Sequence, residues 1–347
     1  MSLRLLRTPT ITPGAAFAGR VLAILLALAC VGLVLALAGR APGRLGGDVV
    51  ASAFGSFEGL EDLGLLVTPL ILTGVAVALT QRIGLWNIGG EGQFNAGALA
   101  ATAVGLHVEG SDALVLPLMA LAGLAGGAAW ILVPTLARAL AGVSELITTL
   151  LLNFVAALLV GWVCTGPWRD PSGQALGTTA RVPYELPPLG DVLHWGLPAA
   201  ILVAVLAAGL LAFTRFGYEV RIAGSNRNAA LYAGIPVRSR IVAVMLLSGA
   251  VAGLAGMIEL AGTVHRLQGG ISNNYGYLGI MVAVLARGSC LAVIAAAVLM
   301  AALLNAGIIL QTQGINTSTV LAITGLILLF TAIGDELAHY RLVRQPV

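Results

Sequence analysis

The chain has 347 residues, of which 59% are hydrophobic and 10% charged, with a formal net charge of +3. A soluble domain carries about 25% charged residues, so most of this surface faces something apolar and a set of water-soluble domains is excluded. All 18 basic residues are arginine. Without lysine there is no Walker A loop and no Schiff-base chemistry, so any ATP that drives this protein is bound by another chain.

The arginines sit in short loops and form no basic face, which argues against a nucleic-acid partner. Cys30, Cys164 and Cys290 lie in or beside apolar runs, and His107, His194, His265 and His339 are scattered. No metal-ligand spacing and no nucleophile–base motif appears, so neither a metal site, a catalytic residue nor a bound cofactor is expected.

A bilayer core about 30 Å thick needs roughly 20 apolar residues in a helix. In chain order, apolar runs of that kind fall at 19–38, 63–80, 113–133, 144–164, 196–214, 241–263, 289–310 and 317–334. Two more segments, 85–106 and 276–287, are short or interrupted by glycine. The expected fold is an all-α polytopic membrane protein of about ten transmembrane or re-entrant segments, one membrane domain over 1–347 with two related halves. The first run is longer than the apolar core of a signal peptide and reads as an uncleaved anchor.

Arg4 and Arg7 precede the first run and Arg20 lies at its very start, which places residues 1–18 in the cytoplasm by the positive-inside rule. With ten crossings, Arg82, Arg138, Arg215, Arg221, Arg227, Arg238, Arg240, Arg287, Arg341 and Arg344 all fall on that side, and both termini are cytoplasmic. The opposite side collects Asp48, Glu58, Glu61, Asp62, Glu109, Asp112, Asp170, Glu185 and Asp191. Two loops stand out: an external one at 165–195, rich in proline and glycine, and a cytoplasmic one at 215–240. At the centre of the second, Asn226 to Ala233 reads as a short helix preceded by Gly224 and Ser225 and stopped by Gly234 and Pro236. Such a helix between two spans is a handle for an external motor.

Polar groups at membrane depth are functional candidates. The densest run is L-W-N-I-G-G-E-G-Q-F-N at 85–95, where three glycines in four positions loosen the helix. Free backbone groups survive in a membrane only beside a cavity or protein. Trp86, Asn87, Glu91, Gln93 and Asn95 therefore line a pathway for a small polar solute, or Glu91 braces neighbouring helices. In 271–287, Asn273, Asn274, Tyr275 and Tyr277 either bond and stack on a ring or form an interfacial loop. These two glycine-interrupted segments, one in each half, match the usual placement of a transporter site. Ser144 and Glu145 open a span as N-cap and first-turn acid, and Asn153, about two turns deeper, faces either the pathway or another helix. The run Ser248–Gly256 reads as a small-residue packing face.

The runs N-I-G-G-E-G-Q-F-N-A-G (87–97), E-L-I-T-T-L-L-L-N-F-V-A (145–156), G-S-N-R-N-A-A-L-Y-A-G-I (224–235) and S-G-A-V-A-G-L-A-G (248–256) resemble permease subunits of bacterial ABC importers. The resemblance is to their simple-sugar/nucleoside group, within the family that also holds branched-chain amino-acid permeases. It implies a second permease subunit, in a heterodimer, and a cytoplasmic ATP-binding subunit that carries ATP and Mg. It also implies an extracytoplasmic solute-binding lipoprotein and location in the bacterial inner membrane. By position it makes Gly224 to Ile235 the ATPase-coupling segment, including Asn226, Ala229, Ala230 and Gly234, with Glu219 and Arg221 leading into it. A nucleoside is the expected solute, with a simple sugar or branched-chain amino acid as alternatives. Ala286-Arg287-Gly288-Ser289-Cys290 departs from the family, where a glycine and a proline-containing turn are expected. An ion-coupled secondary transporter is the rival reading, and it would need Glu91 or Glu259 to titrate.

Overall fold

The computed structural model describes residues 2–7, 13–37, 39–172 and 177–316, scattered positions of 319–334, and 340–345. The contacts divide the chain into two compact units, Met1–Gly59 with Ala302–Val347, and Leu60–Ala301. In the first, β1 (Ser2–Arg7) pairs antiparallel with β2 (Tyr340–Gln345), a pairing outside the all-helical expectation. Helix α1 (Pro13–Leu37) is followed by α2 (Pro42–Phe54), and the two axes meet at 120°. Gly39, at φ +73°, makes the turn, and Pro42 starts α2 because its fixed φ suits the first helical position. The sequence reading contains no helix at 42–54; mixed glycine and polar residues keep that stretch below the apolar threshold. The expected span at 317–334 lies largely outside the described residues.

The second unit begins within α3 (Phe57–Gln81) and holds α4 (Gly90–His107), α5 (Asp112–Ala141), α6 (Glu145–Thr165) and α7 (Gly196–Phe213). Two short helices, α8 (Arg215–Ser225) and α9 (Arg227–Tyr232), lead into α10 (Val237–Glu259), which ends in a π turn, Leu260–Val264. Helix α11 (Tyr275–Leu285) and the start of α12 (Ala292–Thr312) complete it. Among the described residues six helices are long and apolar enough to cross a membrane, and α1 with α2 supplies a seventh if the bent pair counts as one span. Neither α4 nor α11 is among them.

The core is a three-helix contact of α4, α5 and α10, made close by small residues. A Cβ added to Gly97 would run into Gly253, one on Gly256 into the Phe94 carbonyl, and one on Gly127 into Gly249. The Ser248–Gly256 face is thus a packing face, as its small-residue spacing predicts. Such close approach in lipid gives many dispersion contacts where the hydrophobic effect offers none.

Charge separates along this bundle. Arg82, the Arg138–Glu145 ion pair (3.2 Å) and the Glu219–Arg240 pair gather at one end. At the other, residues 166–172 and 177–195 fold over the helix ends as a cap. Val182 and Leu186 donate from their backbone N–H groups to the carbonyls of His265 and Ala261, at 2.8 and 2.9 Å. Glu61, buried at the start of α3, accepts from the backbone N–H groups of Asp191 and Val192. The described residues of this proline- and glycine-rich loop are therefore pinned at several points.

Candidate functional site

Residues 82–89 leave the arginine end without helical structure, and α4 begins only at Gly90. Its start is level with Asn153, eight residues into α6 and so about 12 Å along that axis, because the Gly92 N–H donates to the Asn153 Oδ1 (2.8 Å). The second short segment mirrors this. Residues 265–274 enter from the cap end, α11 starts at Tyr275, and the turn after it reaches the arginine end, where Arg82 Nε donates to the Gly288 carbonyl (2.8 Å). The two half-helices thus begin at one mid-level and run in opposite directions. Their first turns touch: a Cβ on Gly276 would overlap the Glu91 backbone, and one on Gly90 would meet the Gly276 carbonyl at 3.3 Å.

Polar side chains converge there, all but Tyr277 buried. Asn87 and Gln93 exchange amide bonds of 2.7 and 2.8 Å, and Asn87 also donates to the Ser248 hydroxyl (2.8 Å), which donates to the Ala76 carbonyl. Asn153 donates to the Ile88 carbonyl (2.9 Å) and the Tyr277 hydroxyl (3.2 Å). One Glu91 oxygen accepts from the Ser272 hydroxyl, the other from the Gly276 N–H (3.0 Å). A carboxyl there caps α11 from across the chain, and Glu91 itself lies in the first turn of α4. Asn95 turns back to the Glu91 carbonyl (3.0 Å). The Trp130 indole N–H, packed beside Gly92 and Asn153, is a buried donor with no acceptor.

The sequence-selected residues therefore fall into two sets. Asn87, Glu91, Gln93, Asn95 and Asn153 gather, all buried, around the first turn of α4: Asn87 and Gln93 bond each other, Asn95 the Glu91 carbonyl, and Asn153 the backbone of Ile88 and Gly92 and half-buried Tyr277. Tyr275 is buried, its ring 6.3 Å from that of Phe94. Asn273 and Asn274 are instead exposed, at φ 42° and 63°. Left-handed backbone favours asparagine, which accounts for two in a row at the entrance to α11. Trp86 is exposed too, nearer the arginine end, where its N–H approaches Glu145 (3.4 Å). Ser248 and Ser272 were missed as members of the cluster. Ser248 is the only hydroxyl in an otherwise apolar run of small residues up to Gly256, and that is the available signal.

At the arginine end Asn226 caps α9, its Oδ1 accepting from the Ala229 N–H (3.0 Å), and Gly234 ends it at φ +75°. The expected helix is there, but α8 before it was not foreseen. Ala230 and Ile235 are buried, whereas Leu231 and Tyr232 are exposed, Tyr232 at 94%. Glu219 pairs with Arg240, Arg221 is exposed, and Gly224 is seated on the Arg82 carbonyl, where no side chain fits. Ser144 stands at the N-cap position of α6 without a side-chain cap, contrary to expectation; the pairing of Glu145 with Arg138 secures that helix start. The departure at 286–290 forms a turn through Arg287 and Gly288, both at positive φ.

The cap carries a titratable group. His194 is 3% exposed and accepts at Nδ1 from the Gly196 N–H (3.0 Å), with Nε2 3.4 Å from the Thr263 hydroxyl. Burial, aided by the charge of His265, pushes its pKa down to about 4. The native state thus resists a proton that the unfolded chain accepts near pH 6.5. Stability is fully present above that value and falls as pH drops toward 4, with about 2 kcal/mol lost at pH 5. Thermal unfolding of the solubilised protein should show a melting temperature that falls from pH 7 to pH 5, and His194→Gln should flatten the dependence. An unchanged slope in that variant would place the titrating group elsewhere.

Residues 59–332 match the family model described as the branched-chain amino acid transport system / permease component. The chain is 34% identical to the glucose ABC transporter permease of Haloferax volcanii, over 96% of this chain and 91% of that one. It is 32% identical to the guanosine ABC transporter permease of Bacillus subtilis, over 90% and 91% of the two chains. A nucleoside ABC transporter permease of Lactococcus lactis matches at 29% over 82% of each. A family model covering most of the chain, together with two full-length relatives above 30% identity, places this multi-pass protein in the ABC transporter permease family of the branched-chain amino acid transport type.

Proposed function

We propose that this chain is the membrane-spanning subunit of an ATP-driven importer for a nucleoside. The carrying observation is the buried cluster of amides, hydroxyls and Tyr277 at mid-level, where the first turns of α4 and α11 meet. Polar groups are costly at that depth, and irregular backbone beside half-helices is the usual setting of a solute site in a membrane. Amide donors and acceptors with nearby aromatic rings suit a heterocycle and a ribose.

In this reading α4 and α11, each with its non-helical lead-in, count as crossings, giving about ten membrane-embedded segments in two related halves. The cluster is closed in the present conformation. Exposed Asn273 and Asn274 face the translocation route and a second permease subunit, in a heterodimer. The α8–α9 segment receives a separate ATPase, and the cap receives a solute-binding lipoprotein. The protein resides in a bacterial inner membrane with its arginine end and both termini in the cytoplasm. A simple sugar is the second reading, supported by the likeness to the glucose permease.

The test is uptake of labelled guanosine into cells with the chain deleted and restored, with unlabelled glucose, nucleosides and branched-chain amino acids as competitors. Uptake that depends on the chain and on ATP, and yields to nucleosides alone, is the expected result. Competition by glucose alone would replace nucleoside with sugar. Persistence of uptake when the proton gradient is intact but ATP is depleted would overturn the ABC reading.

A further inference from the structure

A cavity of about 220 Å³ lies at the arginine end, between the last turns of α7, helix α8, the residues after α3 and the turn before α12. Its polar wall is Arg82, Arg221 and Ser289; its apolar wall includes Leu211, Ala212 and Leu291. The lining holds no carboxylate, and neither arginine belongs to an ion pair among the described residues. Arg82 is half-buried and uses Nε on the Gly288 carbonyl, which fixes the direction of its guanidinium. Two guanidinium groups and a hydroxyl around one small space form a receptor for a phosphate, whose oxygens match the guanidinium fork.

We propose that this cavity holds the phosphate of an anionic membrane lipid. Its position selects that source. Leu211 and Ala212 lie in the final turn of a membrane-crossing helix, the level at which headgroups sit. The rim residues Ala212 and Leu291 are exposed, and Phe213 beside them is 91% exposed, so acyl chains continue naturally from the apolar wall. Basic pockets between spans at the cytoplasmic face recognise anionic headgroups on these grounds. The occupant would also clamp α8 to the end of α3, because Arg221 belongs to one and Arg82 follows the other. This inference is independent of the transported solute.

The experiment reconstitutes the full chain in nanodiscs of phosphatidylcholine with 10% phosphatidylglycerol, then counts co-released lipids by native mass spectrometry. The wild type should retain phosphatidylglycerol about tenfold over its input ratio, and Arg221→Gln should lose most of that enrichment. Arg215→Gln, exposed on the same helix but outside the cavity, should keep it. Arg221 is exposed, so its replacement leaves the fold intact even if Arg82→Gln does not. Equal enrichment in wild type and Arg221→Gln would overturn the proposal. Displacement of the lipid by millimolar inorganic phosphate would also overturn it, by making free phosphate the ligand.

Discussion

Gly276→Val should reduce transport at least about tenfold and lower the melting temperature of the solubilised protein. A Cβ at 276 overlaps the Glu91 backbone, and backbone at the start of a helix cannot swing aside as a long side chain can. Overpacking of that kind costs about 3 kcal/mol, here where the first turns of the two half-helices touch. Gly269→Val is the control. Nothing lies within 4 Å of a Cβ there, so uptake and melting temperature should remain near wild type. Normal uptake and an unchanged melting temperature in Gly276→Val would mean that the first turns of α4 and α11 do not meet in the working protein.

Glu91→Ala should be nearly as damaging for a different reason. It removes both acceptors used by the Ser272 hydroxyl and the Gly276 N–H, leaving two buried donors unbonded, at about 1–3 kcal/mol each. Glu91→Gln keeps one acceptor and nearly the same volume, so it should recover most of the lost stability. The pair of variants also separates the two roles open to this residue. If Glu91 is a brace, uptake and melting temperature fall and recover together. If uptake in Glu91→Gln stays at the alanine level while stability returns, the carboxylate acts on the transport cycle itself.

Much of this was legible because the governing signals are local. Three glycines in four positions announced that α4 would not run unbroken from residue 85. Asn226, Gly234 and Pro236 bracket α9, and the recurrence of glycine and alanine between 249 and 256 announces a close helix contact. The rest depends on partners far apart in sequence. Ser248 bonds Asn87 across 161 positions and Ser272 bonds Glu91 across 181, and no periodicity encodes such a pairing. Asn273 and Asn274 were selected for their amides, whereas their left-handed backbone explains them as well. Helices α2 and α8 escaped because both mix polar and apolar residues, so neither has the apolar run that marks a span.

The seat of Gly224 on the Arg82 carbonyl has a mechanical consequence. Arg82 is eight positions before Gly90, and only 84–89 separate this contact from the first turn of α4. Six residues span at most about 20 Å when fully extended, and they descend about 12 Å to reach the level of Asn153, which leaves about 8 Å of slack. A force applied at the exposed face of α9 therefore passes through Gly224 into a short tether on α4. Small movements at the surface are absorbed in that tether, and only larger ones reach the centre of the bundle.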